Sequence, residues 1–200
     1  MRGWVKAGLA LALVTAPVPA LSQGVNASEG EKFLKAIEER DNNTAIPLLE
    51  EPGSRVVNYR GNKGDTALHI ATRNREPVWV GHLLKKGADP NIGDAKGDTA
   101  LMIAAAIGFE EAVEYMIQLG AKVDTANRRG ETALIIAVQQ RQPRVVELLL
   151  KAGANPDKAD HSAGYSARDY AKRDSRNPGL LKLIQTVKST KRAVAGPKLN

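Results

Sequence analysis

Between Gly64 and Lys158 one phrase returns every 33 residues, and a period of that length restricts the chain to a row of small, like units. GDTALHIA begins at Gly64, GDTALMIA at Gly97 and GETALIIA at Gly130, while LLKKGADPN, MIQLGAKVD and LLKAGANPD close the same three units. A unit this short cannot enclose a core. It buries its apolar face against its neighbours, and the fold grows as a solenoid.

Within each unit the apolar spacing describes two helices. Thr66, Thr99 and Thr132 suit the start of the first, where a side-chain oxygen accepts an unpaired backbone N–H. Leu68, Ile70 and Ala71, with their counterparts in later units, fill the interior. The second helix carries apolar pairs one turn apart: Trp79, Val80 with Leu83, Leu84; Ala112, Val113 with Met116, Ile117; and Val145, Val146 with Leu149, Leu150. Gly87, Gly120 and Gly153 supply the left-handed residue that ends it. The turn between the helices holds Gly108 in one unit but Arg75 and Arg141 in the others, followed by Pro77 and Pro143. An arginine at positive φ there costs about 1 kcal/mol relative to glycine, so Arg141→Gly is expected to raise the melting temperature slightly.

These residues name a family by resemblance. TALHIA, a second helix and GADPN resemble the ankyrin repeat, whose pattern is a turn, a T-P-L-H-x-A helix, a second helix and a G-A-D-x-N exit. Ala67, Ala100 and Ala133 stand where that family prefers proline, and Met102 and Ile135 replace the histidine kept at His69. The resemblance implies an all-α solenoid of about five stacked helix pairs with short β-turn fingers, over residues 28–190: units 28–58, 59–91, 92–124, 125–157 and 158–190, the outer two being caps. The first cap reads as helices over 31–40 and 44–50 with core residues Phe33, Leu34, Ile37, Ile46 and Leu49. The last repeats the frame from Gly164 and ends in a helix started by Asn177-Pro178, with Leu180, Leu181, Leu183, Ile184 and Val187.

The ends carry the charge and the address. Arg2 and Lys6, the apolar run Ala7–Ala16 and the small residues Ala20 and Ser22 read as a cleavable leader over 1–22, followed by a short segment, 23–27. The apolar run is too short to span a bilayer, so the expected address is the periplasm or outside the cell, with no membrane span in the mature chain. The net charge of +7 is concentrated: residues 172–200 hold eight basic and one acidic side chain, against 19 and 21 in residues 23–171. The basic segment has no aromatic side chain to stack on bases, so no nucleic acid is expected. Residues 191–200 read as a disordered basic tail, with weak contact to an anionic envelope surface as its possible use.

Chemistry finds no foothold. The chain has no cysteine, and His69, His82 and His161 lack a second ligand at helical spacing. By family resemblance His69 ties neighbouring turns together. Adjacent carboxylates such as Glu110-Glu111 read as a solvated face, and no glycine loop is left to hold a phosphate. The expectation is a non-enzymatic monomer without cofactor, metal or catalytic residue. It binds a protein partner in a groove formed by finger tips and first helices, as the resemblance implies. Carried over by the repeated frame, the groove comprises Asn62, Lys63 and Asp65; Ala95, Lys96 and Asp98; Arg128, Arg129 and Glu131; with Arg73, Asn74, Ala106, Ile107, Gln139 and Gln140 on the helices. Ala106, Ile107 and Phe109 are expected to form an apolar centre rimmed by Arg73, Arg128 and Arg129.

Overall fold

The computed structural model describes residues 27–187. The leader expected over 1–22, residues 23–26 and the tail expected over 191–200 lie outside the described residues. Ten helices follow in pairs: α1 (Ala27–Glu38) and α2 (Asn42–Glu50), α3 (Ala67–Arg73) and α4 (Pro77–Lys85), α5 (Ala100–Ile107) and α6 (Glu110–Gln118), α7 (Ala133–Gln139) and α8 (Pro143–Lys151), α9 (Ala167–Arg173) and α10 (Pro178–Thr186). The first helices stack as one layer, α1 on α3 on α5 on α7 on α9, and the second helices form another, with α4, α6, α8 and α10 in sequence. The architecture is an all-α repeat solenoid. Its core runs continuously from Phe33 to Ile184 between the two layers.

The local rules act as the sequence suggests. Thr99 accepts the Met102 N–H at 3.4 Å and Thr132 the Ile135 N–H at 3.3 Å. Pro77, Pro143 and Pro178 each open a second helix, where the missing N–H would have had no partner. The side chains that bury in α4, α6 and α8 are the predicted stripe, except that Ile117 is only partly buried.

The fingers form a ladder of backbone hydrogen bonds. Each finger closes on itself, Gly61 N–H to Asp65 O at 2.9 Å, Asp94 to Asp98 at 2.9 Å and Asn127 to Glu131 at 3.0 Å. Each then receives the next: Lys63 O accepts from Ala95 N–H at 3.0 Å, Lys96 O from Arg128 at 3.1 Å and Arg129 O from His161 at 2.8 Å. The frame glycines make this approach possible. A Cβ on Gly64 would lie 2.7 Å from the Ala95 nitrogen, on Gly97 3.0 Å from that of Arg128 and on Gly130 2.6 Å from that of His161, and all three glycines have positive φ. A second set of ties runs along the exits. Asn58 accepts from Asp89 N–H at 2.8 Å, Asn91 from Lys122 N–H at 2.7 Å and Asp124 from Asn155 N–H at 2.8 Å.

The inter-helix turns correct two expectations. Arg75 and Arg141 do adopt positive φ, 56° and 54°, and Arg40 joins them at 61°, but each side chain reaches into the next unit. Arg40 pairs with Glu76 at 2.6 Å. Arg75 donates to Ile107 O at 2.6 Å and covers the Phe109 ring, and Arg141 holds Asp174 with two bonds of 2.7 and 3.2 Å. That pairing with Arg141 keeps the Asp174 carboxyl below its ordinary range, and a glycine at this position could not make it. In the first cap, Ile46 is 42% exposed and outside the core. Asp41 caps α2 at Asn42, ahead of the expected start, and the buried face passes through Ala45 and Leu49, four residues apart, leaving Ile46 on the next face.

A double-mutant cycle separates backbone strain from the ion pair. Arg141→Gly is now expected to lower the melting temperature, contrary to the reading from strain alone. In an Asp174→Asn background, where the pair is already broken, the same change should stabilise by about 1 kcal/mol. Equal effects in both backgrounds would show that the pair contributes nothing.

Candidate functional site

The face carrying the finger tips and the first helices holds most of the side chains singled out by the frame. Asn62, Lys63, Ala95, Lys96, Arg128 and Arg129 are exposed at the tips, and Arg73, Gln139 and Gln140 are exposed on α3 and α7 and their ends. The ladder uses only the backbone of Lys63, Ala95, Lys96, Arg128 and Arg129, so their side chains stay outside it.

The acidic finger positions behave differently. Asp65 pairs with Arg73 at 3.0 Å. Asp98 accepts from Asn127 Nδ2 at 2.7 Å, and Glu131, only 8% exposed, accepts from the same Nδ2 at 3.0 Å and pairs with Arg129 at 2.6 Å. Glu131 is therefore a brace within its finger and not an open contact. The turn residues ahead of them brace in the same way: Asp94 Oδ1 accepts from Lys96 and Asp98 N–H at 2.7 and 3.0 Å, and Asn127 Oδ1 from Arg129 and Glu131 N–H, both at 2.9 Å. The repeated frame did not mark Asp94 and Asn127 as finger braces. Their recurrence 33 residues apart, three positions after the exit residues Asn91 and Asp124, was the available signal.

Two clefts open on this face. One, of about 230 Å³, lies between α5 and α7 and brings together Asp98, Ala106, Arg129, Gln139 and Gln140 over Ile103 and Ile136. It exists because Ala106 is small where Arg73 and Gln139 stand in the flanking units. The other, of about 340 Å³, lies between α1 and α3, with Asn62, Lys63, Asp65 and Arg73 facing Glu31, Lys35 and Glu38 over Leu34 and Ile70. The apolar floor is thus Leu34, Ile70, Ile103 and Ile136. Phe109, expected at the surface, is 6% exposed beneath Arg75, and half-buried Ile107 sits at the far end of α5, outside both clefts. Asn74, Ala95, Lys96 and Arg128 line neither.

His69 secures the floor from below. Its Nδ1 accepts the Thr66 N–H at 3.1 Å and lies 2.8 Å from the Thr66 hydroxyl, which leaves Nε2–H to donate to Asp98 O at 3.0 Å. One ring thereby joins the start of α3 to the next finger. Burial disfavours the charged imidazolium and holds the pKa below the ordinary 6.5, against a smaller opposing effect of the Asp98 carbonyl. Among the described residues no group of three His, Cys, Asp or Glu side chains is placed to hold a metal ion, and no helix is long and apolar enough to cross a membrane.

Residues 78–160 match the family model of ankyrin repeats in three copies. A search of curated proteins finds no match. Ankyrin repeats are in general protein–protein interaction modules; the matched segment holds the fingers closed at Asp94–Asp98 and Asn127–Glu131, the exit ties of Asn91 and Asp124 and the helix pairs α5–α6 and α7–α8.

The His69 geometry predicts a pH dependence of stability. The unfolded chain takes up the imidazole proton before the folded chain does, so stability is complete above the ordinary histidine value and is lost as pH falls through it toward the lower folded value. Thermal unfolding followed at intervals from pH 7.5 to 5 should show that loss in the native chain. His69→Met, which installs the side chain of Met102, should flatten the profile in this window; an unchanged slope would assign the loss to other groups.

Proposed function

We propose that this ankyrin-repeat-like solenoid is a non-enzymatic adaptor or modulator that binds a protein partner along its finger and first-helix face. The observation that carries this reading is the division of labour within each unit. Backbone, glycines and hydrogen-bonded acids hold the fingers, while Lys63, Arg129, Ala106, Gln139 and Gln140 vary around open clefts and Lys96 and Arg128 stand exposed at the tips beside them. An apolar floor with a polar and charged rim is the composition of a recognition surface. The leader supports a periplasmic or extracellular address, and with it a partner in the same compartment.

A second reading has its own support. Lys172, Arg173, Arg176 and Lys182 are all exposed on the last unit, and with the basic residues that follow they suit adhesion to an anionic envelope surface. Salt separates the two by degree: attachment through exposed charges alone falls steeply as ionic strength rises, whereas binding that also covers an apolar floor keeps the part that salt does not screen.

The test is capture by crosslinking in intact cells, followed by pulldown with purified variants. Ala106→Lys together with Arg128→Glu fills the central cleft and reverses the charge of the exposed finger tip beside it, and should abolish capture while the helical circular dichroism is retained. Ile107→Asp should have a smaller effect. Capture that survives the first variant but is lost with Lys172→Gln and Arg173→Gln would favour the envelope reading.

A further inference from the structure

We infer that the finger edge is built for an acidic protein segment in polyproline II conformation, with a carboxylate at every third residue. This deepens the groove reading above and rests on it. Lys63, Lys96 and Arg129 occupy one register, 33 residues apart, and each is the residue whose own carbonyl receives the next finger. Their backbone is therefore fixed relative to one another by the ladder, while their side chains are exposed. Thirty-three residues further on stands Ser162, so the row contains three cations.

The sign of the edge follows from what the acids do. Asp65, Asp98 and Glu131 are engaged by Arg73, Asn127 and Arg129, and Asp94 and Asp160 accept amides of their own turns. Asp65, Asp94, Asp98 and Asp160 thus take partners other than the cationic side chains of the row, while Glu131 pairs with Arg129 within it and Glu31 and Glu38 face Lys63 across the cleft between α1 and α3. Arg129 keeps 65% of its side chain open although it pairs with Glu131, and exposed Arg128 adds to the same rim.

The spacing selects the conformation of the occupant. One hydrogen-bonded step crosses each finger and a second joins it to the next, so the repeat along the edge is two strand spacings, about 9.5 Å. A polyproline II segment has three residues per turn at 3.1 Å each, about 9.3 Å per turn, which places every third side chain on one face at nearly the same interval. Such a segment keeps its backbone solvated and loses little conformational freedom on docking. Three carboxylates at positions one, four and seven then meet Lys63, Lys96 and Arg129 together.

The experiment compares two labelled peptides of identical composition on the full-length chain, by fluorescence anisotropy at physiological salt. One is a Glu-Pro-Pro repeat of five units; the other gathers the five glutamates into one block. The repeat should bind about tenfold more tightly, as several weak exposed ion pairs formed in register allow. Lys63→Gln with Lys96→Gln should remove that preference, and Lys188→Gln with Lys191→Gln should leave it. Equal affinity for the two peptides, or a preference that survives the finger variant, overturns the inference. So does tighter binding of a DNA duplex or of phosphatidylserine vesicles than of the repeat. If Ala106→Lys with Arg128→Glu abolishes partner capture while the two peptides bind alike, the groove reading stands and the period-three reading alone falls.

Discussion

The hydrogen bond from one finger's amide to the preceding finger's carbonyl sets the register on which the other contacts depend. It forms at Ala95, Arg128 and His161, and each time a glycine, Gly64, Gly97 or Gly130, leaves the gap through which the amide approaches. Once that distance is fixed, a first helix following two residues later starts at a fixed height, and its buried side chains meet those of the previous unit in the same way each time. The Asn58, Asn91 and Asp124 ties repeat the constraint at the exits, and Arg40, Arg75 and Arg141 add it at the inter-helix turns. Neighbours are joined at the fingers, the exits and the turns, which leaves little freedom for one unit to rotate on another.

This arrangement makes stability a sum over neighbours and gives the ends a separate problem. At the N-terminal end no finger precedes α1 among the described residues. The helix begins early instead, and Tyr59 lies over Gly30, where an added Cβ would fall 2.3 Å from the ring, with its hydroxyl on Glu31 at 3.2 Å. The same helix supplies Glu31, Leu34, Lys35 and Glu38 to the cleft against α3, so the capping helix also shapes the face on which binding is proposed.

Features that depend on one unit alone were legible in the sequence: the frame glycines, the capping threonines, the prolines at helix starts and the apolar stripes. Each follows from local conformation or helical spacing and recurs with the period. Features that depend on which side chain stands one unit ahead were not. The positive φ of Arg141 could be read, yet Asp174 has no repeated counterpart to announce the pair. Phe109 occupies a register that is Glu76 and Gln142 in the flanking units, so an exposed aromatic was the simple reading; its cover comes from Arg75 in the previous unit. Ile46 failed for a local reason: the buried face of α2 runs through Ala45 and Leu49, and Ile46, one residue on from Ala45, turns about 100° away from it. For the candidate site, the tip residues were identified by frame, but the floor at Ile103 and Ile136 was assigned to the interior, since apolar side chains on a first helix look alike whether the neighbouring position is Arg73, Gln139 or the small Ala106.

The fourth finger shows how the same elements can close the array. It is one residue longer, closing from Asp160 N–H to Tyr165 O, and Asp160 accepts the amides of Ser162, Ala163 and Gly164 as well as the Tyr170 hydroxyl at 2.6 Å. Burial works against ionisation of Asp160, but these hydrogen bonds outweigh it and keep the carboxyl below its ordinary range. Asp157, in register with the exit residues Asn58, Asn91 and Asp124, accepts instead from the Arg168 side chain of the last unit at 2.6 and 3.2 Å, and Arg173 lies over the Tyr165 ring at 4.4 Å. The last finger and its helix are thus held by side-chain contacts that the inner units lack. Because the last unit satisfies itself, its outward side chains are released from the stacking constraint, which is why Lys172, Arg173, Arg176 and Lys182 can gather there while the interior of the array stays near neutral.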